Sequence, residues 1–294
     1  MPRRVGRRRA YQQEHLVADR IAPAMRRALE AAFRRAGEAF PVKRTAALFA
    51  QGQTFGLMTR VPWQDVVEAL TADIRQLIVD GVSAAARQQS IPGVVVKQPE
   101  FRFDITNPRA IEWIRRHAAE LVTRITEDQR RAVSRIIQRM FEDGVPPEQA
   151  ARELRQVVGL HERYALAVDN YRRGLTEQGM DRELRDARVA QYADRLRANR
   201  ARVIARTESI SASAHGTQEL WRQARDTGLL DESRTKREWL VTPDERLCEI
   251  CEPMEGQQVG LEEPFTTGEG LLVDTPPAHV QCRCAMRLVF TPLT

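Results

Sequence analysis

Two short pieces near the C-terminus hold all four cysteines of the chain, and nothing else in the sequence restricts the fold as tightly. The first arm reads LCEIC, residues 247–251, with Cys248 and Cys251 separated by two residues. The second reads PPAHVQCRC, residues 276–284, and carries His279, Cys282 and Cys284. Two residues between thiols let one tight turn aim both sulfurs at a single tetrahedral ion, which is the spacing of a zinc knuckle. The second arm completes the shell. Five donors compete for four places: Cys248, Cys251 and Cys282 belong to each arrangement, and the fourth ligand is either His279 or Cys284. In an alternating strand Cys282 and Cys284 face the same way, so a four-cysteine site is open too. Two disulfides are a competing arrangement, as are free thiols. Disulfides suit an oxidising compartment, and the N-terminus MPRRVGRRRAYQQEH leads into no apolar signal core.

The expected role of the zinc is structural. A module of about sixty residues has little core of its own, and a metal joining two loops contributes folding energy directly. A catalytic zinc would keep one coordination place open and would need a neighbouring acid or base, such as Glu249, Glu252 or Glu255. Zinc deaminases pair His-x-Glu with a following Pro-Cys-x-x-Cys, whereas here the arms come in the reverse order and His279 precedes Val280 and Gln281. P-loop, G-x-G-x-x-G, H-E-x-x-H and G-x-S-x-G patterns are all missing from the sequence. An enzyme is therefore not expected. The alternative kept open is a zinc-dependent nucleic-acid-processing enzyme.

Upstream of the cysteines the periodicity is helical. Leu16, Ile21, Met25, Leu29 and Phe33 predict a helix over 11–38, and Val66, Val67, Leu70, Ile74, Leu77 and Ile78 predict another from Trp63 to about Arg87. Residues 90–108 hold three prolines and a glycine and read as a linker. From Pro108, residues Ala110, Ile111, Ile114, His117, Ala118, Leu121, Val122 and Ile125 keep helical spacing, with His117 read as a core histidine. Thr126 with Gln129 has the form of a capping box opening a further helix that Gly144 ends. Short helices follow over 145–159 and 161–175, and then a long Pro-free helical segment from about Arg182 to Thr227, with a break near Asn199. After residue 235 the runs REWLVT (237–242), LLVD (271–274) and AMRLVF (285–290) are of β type. The expected class is mainly α with a small C-terminal β-rich (α+β) Cys/His module. The domains divide as a basic N-terminal arm and helical region over 1–97, a domain of long helices over 98–235, and the module over 236–294.

Charge is uneven. Residues 1–35 contain ten arginines against Glu14, Asp19 and Glu30, while the whole chain carries a net charge of only +6. Arg3, Arg4, Arg7, Arg8 and Arg9 form the densest group and suit phosphate, because guanidinium forks pair bidentately with phosphate oxygens. A solvated, disordered leader is the competing reading, and an arm of that kind can order on meeting DNA. No apolar run approaches the roughly 18 residues that a spanning helix needs, so no membrane contact is expected.

Several pieces together resemble one family. FDITNPRAIEWIRRHAAELVTRI (103–125), RVIARTESISASAHGTQELW (202–221), WLVTPDERLCEICEPMEG (239–256) and PPAHVQCRC (276–284) are similar to the Mu F-type minor head proteins, or head morphogenesis proteins, of tailed bacteriophages. The likeness spans roughly residues 100–290. It carries over to Ile204 through Glu208, to Trp239, Thr242, Asp244 and Arg246, and to the four cysteines with His279. The family's His-Pro is His279-Val280 here. The resemblance implies a non-enzymatic minor capsid protein of the virion, in the head interior or at the portal vertex, assembled in the host cytoplasm. It further implies action in head assembly, DNA packaging or delivery, with the portal protein, the major capsid protein or scaffold, and phage DNA as expected partners.

Overall fold

The computed structural model describes residues 2–38, 40–51, 63–88, 102–242 and 247–290. Seven α-helices come first among them: α1 (Pro2–Glu38), α2 (Val42–Ala50), α3 (Trp63–Gln88), α4 (Pro108–Glu142), α5 (Pro147–Val157), α6 (Glu162–Glu177) and α7 (Arg182–Asp226). Five strands follow: β1 (Thr235–Leu240), β2 (Gln258–Val259), β3 (Phe265–Thr266), β4 (Leu272–Val273) and β5 (Ala285–Phe290). The class expected from the sequence, mainly α with a small C-terminal β-rich Cys/His module, is what the fold has. No helix among the described residues is long and apolar enough to cross a membrane.

The chain forms two compact units that interleave in sequence. One gathers residues 1–25, 75–115 and 203–294, and the other residues 26–74 and 116–202. Helices α1, α3, α4 and α7 contribute residues to both.

In the second unit Arg200, on α7, is nearly buried. It donates to the Gly159 carbonyl at 2.9 Å and to Asp128 at 3.2 Å, with its guanidinium 5.1 Å above the Phe33 ring. Burial pushes its pKa down to about 10, which still leaves it charged at neutral pH. Helix α4 ends as the sequence suggests. Gly144 takes a positive φ of 63°, and Val145 N–H reaches back to the Met140 carbonyl at 2.9 Å, closing the last turn.

In the first unit α3 meets α7 through small side chains. A Cβ at Gly216 would stand 2.9 Å from Val82 Cα and closer still to the Val82 carbonyl oxygen, and one at Gly81 would stand 2.9 Å from Ala212 Cβ. The obstacle at Gly216 is backbone and cannot swing aside. Gly216→Ala should therefore cost about 1–3 kcal/mol or more, against the small gain alanine usually brings to a helix. Thermal melting checks this, and an unchanged or higher melting temperature would show that the helices part freely.

The strands make a three-stranded antiparallel sheet in the order β2-β1-β5 and a separate β3-β4 pair. Trp239 lies opposite Met286 and Leu240 opposite Ala285, which sets the second cysteine arm immediately before its strand. Trp239 and Phe265 pack edge to face at 5.0 Å, in a core that also takes in Cys251, Met254, Cys282 and Cys284.

Some expectations need correction. Helix α1 begins at Pro2 rather than near residue 11, and it passes through Pro23 because Val17, Ile21, Met25, Leu29 and Phe33 are all buried along it. Leu16, assigned to its apolar face, is 56% exposed, and Glu14 and Val17 turn inward instead. Thr126 opens no new helix: its hydroxyl donates to the Val122 carbonyl at 2.9 Å, so α4 runs through it unbroken. Helix α7 likewise continues past Asn199. Of the linker, residues 90–101 lie outside the described residues.

Candidate metal centre

The first arm is a tight turn. Cys251 N–H and Glu252 N–H both donate to the Cys248 carbonyl, at 3.0 and 2.9 Å, which curls the chain so that the two thiols point the same way. The turn has a lid. Gly268 N–H donates to the Ile250 carbonyl at 2.9 Å, so the loop between β3 and β4 closes over it.

The second arm turns at residues 279–282, where Cys282 N–H donates to the His279 carbonyl at 3.0 Å. Gln281 holds the turn at a positive φ of 62°. Alternate residues of this arm then serve different neighbours. Cys282 and Cys284 point into the module, whereas Gln281 N–H donates to Thr207 Oγ1 on α7 at 3.1 Å, and the Arg283 carbonyl accepts from Thr242 Oγ1 at 2.8 Å. Thr207 is the threonine of the IARTE run, which gives that motif a structural purpose: it fixes the second arm. Glu208 beside it is buried, as a packing residue should be.

The donor atoms converge. His279 Nε2 lies 3.1 Å from Cys248 Sγ and 3.2 Å from Cys251 Sγ, and Cys251 Sγ lies 3.8 Å from Cys282 Sγ. With Zn–S bonds of about 2.3 Å, a tetrahedron has S–S edges of about 3.8 Å, so that pair is already spaced for a shared ion. The donors form two triads, Cys248–Cys251–His279 and Cys251–Cys282–Cys284, each with all its atoms within 4.8 Å. Cys251 belongs to both. His279 Nδ1 donates to the Val280 carbonyl at 2.9 Å, which leaves the Nε2 lone pair facing the thiols, as in metal-ligating histidines. All four cysteines are free thiols, so the disulfide arrangement is not the one this structure adopts.

Among the three buried thiols, Cys282 is set apart as the readiest to ionise. Hydrogen bonds from Cys251 and then Cys284 hold the Cys282 thiol far below its ordinary range, and the Cys251–Cys282 hydrogen bond pushes Cys251 up. The Cys284 amide also points at Cys282 Sγ, at 3.5 Å. The space at the cluster is about 30 Å³, lined by Thr242, Leu247, Cys248, Cys251, His279, Gln281, Cys282, Arg283 and Cys284. That volume suits one ion, and the described residues that line it include no carboxylate. Glu255, one of the three glutamates considered as a base, is engaged elsewhere: it accepts from Val241 N–H at 2.8 Å and pairs with Arg7 at 2.6 Å.

Residues 161–287 match the family of phage Mu protein F like proteins. The Mu F-like stretch begins just before α6 and ends inside β5, so it takes in IARTE, both cysteine arms and the core beneath them. It bears out the resemblance read from those motifs, while the 103–125 segment lies outside it. No curated protein and no solved structure matches the chain.

The remaining site residues divide. Asp244 and Arg246 lie outside the described residues, as do the side chains of Arg3, Arg4 and Arg9 on α1. Arg7 is paired with Glu255 and with Glu238, at 2.6 and 3.3 Å, whereas Arg8 is exposed. Both line a cleft of about 720 Å³ with Tyr11, Gln12, Leu240, Val241 and Glu255.

Helix α1 also brings residues to the module that the sequence reading passed over. Tyr11, Glu14 and His15 all reach it, and a charged residue on a buried helix face was the only available signal. Glu14 is fully buried, with one oxygen accepting from Met286 N–H at 3.2 Å and the other without a partner among the described residues, and burial raises its pKa to about 8. Between its unfolded value of 4.5 and about 8 the folded state holds the extra proton, so stability falls as pH rises through that window, by at most about 1.4 kcal/mol per unit. Glu14→Gln should flatten this slope and raise the melting temperature at pH 8. An unaltered slope would place the buried charge elsewhere.

Proposed function

We propose that this chain is a structural, non-enzymatic component of a tailed-phage head, a minor head protein acting in head morphogenesis at the portal vertex and in DNA packaging or delivery. The observation that carries the reading is the Mu F-like match over residues 161–287, which covers the Cys/His module and the helix that fixes its second arm. The chemistry agrees with it. The cluster is small, its Cys251 and Cys282 are buried, and the described residues lining it include no carboxylate, which fits a structural site, and such a site makes a small module rigid enough to be a docking piece.

The metal reading takes zinc held by Cys248, Cys251, His279 and Cys282. Cys284 supports the Cys282 thiolate through both its thiol and its backbone amide. When bound, the ion supplies a cross-link between the two arms. The residues around it do the positioning: Thr207 and Thr242 fix the second arm, and the Val280 carbonyl fixes the imidazole.

The portal is the proposed protein partner. Immobilised portal rings should retain the purified chain, and empty capsid shells lacking a portal should not. Retention by shells alone would move the protein to the capsid wall, and retention by neither would remove the docking role. DNA is the second proposed partner, through Arg3, Arg4, Arg7, Arg8 and Arg9. Deleting residues 1–9 should weaken DNA binding and lower the slope of log affinity against log salt by about 0.9 for each phosphate that is no longer neutralised. An unchanged slope would remove DNA from the account.

A further inference from the structure

Helix α1 holds both arms of the metal cluster at once. Arg7 pairs with Glu255, which follows the Cys248–Cys251 turn by four residues. One turn further along, Tyr11 donates from its hydroxyl to Thr242 Oγ1 at 3.0 Å, and Thr242 in turn donates to the Arg283 carbonyl at 2.8 Å. His15 donates from Nε2 to that same carbonyl at 2.9 Å, with its ring 4.3 Å from that of Tyr11. Arg283 stands between Cys282 and Cys284. Glu14 accepts from Met286 N–H two residues beyond. Positions 7, 11, 14 and 15 make one stripe of a helix, so a single face of α1 grips the chain just past the first arm at one end and the second arm at the other.

Those two arms are about thirty residues apart in sequence, and the Cys/His cluster is where they meet. We propose that a metal ion in this cluster latches the N-terminal half of α1 onto the module, and that losing the ion releases the helix and frees Arg7 from Glu255 and Glu238. The inference rests on the metal reading above and adds to it a consequence for the arginine-bearing helix. The sheet already sets Glu255 and Arg283 on either side of β1, and the ion adds a tie between the two cysteine arms that flank them, holding in place the groups that the stripe on α1 meets. Coupling of this kind works in both directions: if the metal favours the docked helix, the docked helix favours the metal by the same factor. Tyr11 and His15 are therefore positioning residues for the site, acting on it through Arg283.

Hydrogen exchange on the full chain, with zinc as the probe, reads this directly. Removing zinc with a chelator should speed exchange of the amides around residues 8–18 at least tenfold while α6 keeps its protection. The double variant Tyr11→Phe/His15→Phe keeps both rings and removes both donors. It should loosen the same amides with zinc still present and weaken zinc affinity by about 10–100-fold, the usual effect of removing an outer hydrogen bond from a metal site. Loss of α6 protection would mean that the double variant has misfolded, and Tyr11→Phe alone then carries the test with a smaller shift in the same direction. A protein that binds zinc yet protects α1 equally with and without it overturns the latch, as does a folded variant of unchanged zinc affinity. A chain that takes up no zinc at all overturns latch and metal reading together, and metal content identifies that case.

Discussion

Serine in place of Cys251 is expected to abolish metal binding and to melt the C-terminal module, whereas serine in place of Cys284 should leave one metal ion bound. The asymmetry comes from the geometry. Cys251 is a member of both donor triads, is 2% exposed, and lies 3.2 Å from His279 Nε2 and 3.8 Å from Cys282 Sγ. A serine hydroxyl does not ionise at neutral pH and cannot replace a thiolate ligand. In small zinc domains the binding free energy is folding free energy, about 10–16 kcal/mol in apparent terms, so losing one central ligand removes more than a module of this size can spare. Cys284 sits only in the second triad, and the amide it contributes to Cys282 survives the substitution. Metal content and near-UV circular dichroism, to which the buried Trp239 contributes, check both variants. Equal loss in the two would make Cys284 a ligand and point to a four-cysteine site.

The second large effect is expected at Arg237. Its side chain is fully buried in β1, donating to the carbonyls of Gly260 at 3.1 Å, Asp274 at 2.5 Å and Glu263, with the guanidinium 5.0 Å from the Phe265 ring centre. With its amide turned to suit its neighbours, Gln218 on α7 accepts from the same guanidinium at 3.0 Å. Burial lowers the pKa to about 10, so the group is still charged at neutral pH. The three carbonyls belong to the irregular chain on either side of the β3-β4 pair, and this one side chain gathers them. Arg237→Met fills much of the same volume but leaves each carbonyl without its donor, at about 1–3 kcal/mol apiece before relaxation. A net loss of about 3–5 kcal/mol is expected, visible as a lower urea midpoint. Arg237→Lys should recover only part of it, because an ammonium cannot span three acceptors set in a fork. A loss under about 1 kcal/mol for the methionine variant would show that water satisfies those carbonyls just as well.

Arg237 also illustrates what the sequence could and could not show. The run AMRLVF is β5 residue for residue, and REWLVT lies two residues from the observed β1, because alternation and β-branched content are local properties. The Cys/His donors were legible for the same reason, since ligand spacing is written into the chain. LLVD contains β4, whereas β2 and β3 have only two residues each and depend on their partners more than on their own composition. Arg237 shares a strand face with Trp239, and a lone arginine on that face was the one hint that a buried cation lay there. Thr126 misled because the hydroxyl that could cap a new helix can equally bond back within an existing one, and packing of Val122, Ile125, Val133 and Ile136 decides in favour of continuity. The tie between α1 and the module was hidden for a different reason. Tyr11 and Arg283 are far apart in sequence, and their meeting is a product of the tertiary fold alone.

The composition of purified heads tests the proposed place of this chain in a phage head. Quantitative mass spectrometry of assembled particles should find the chain in a few copies per head, remaining after washes that strip adventitious protein. Its absence from heads that contain their portal and capsid proteins in full would contradict the account.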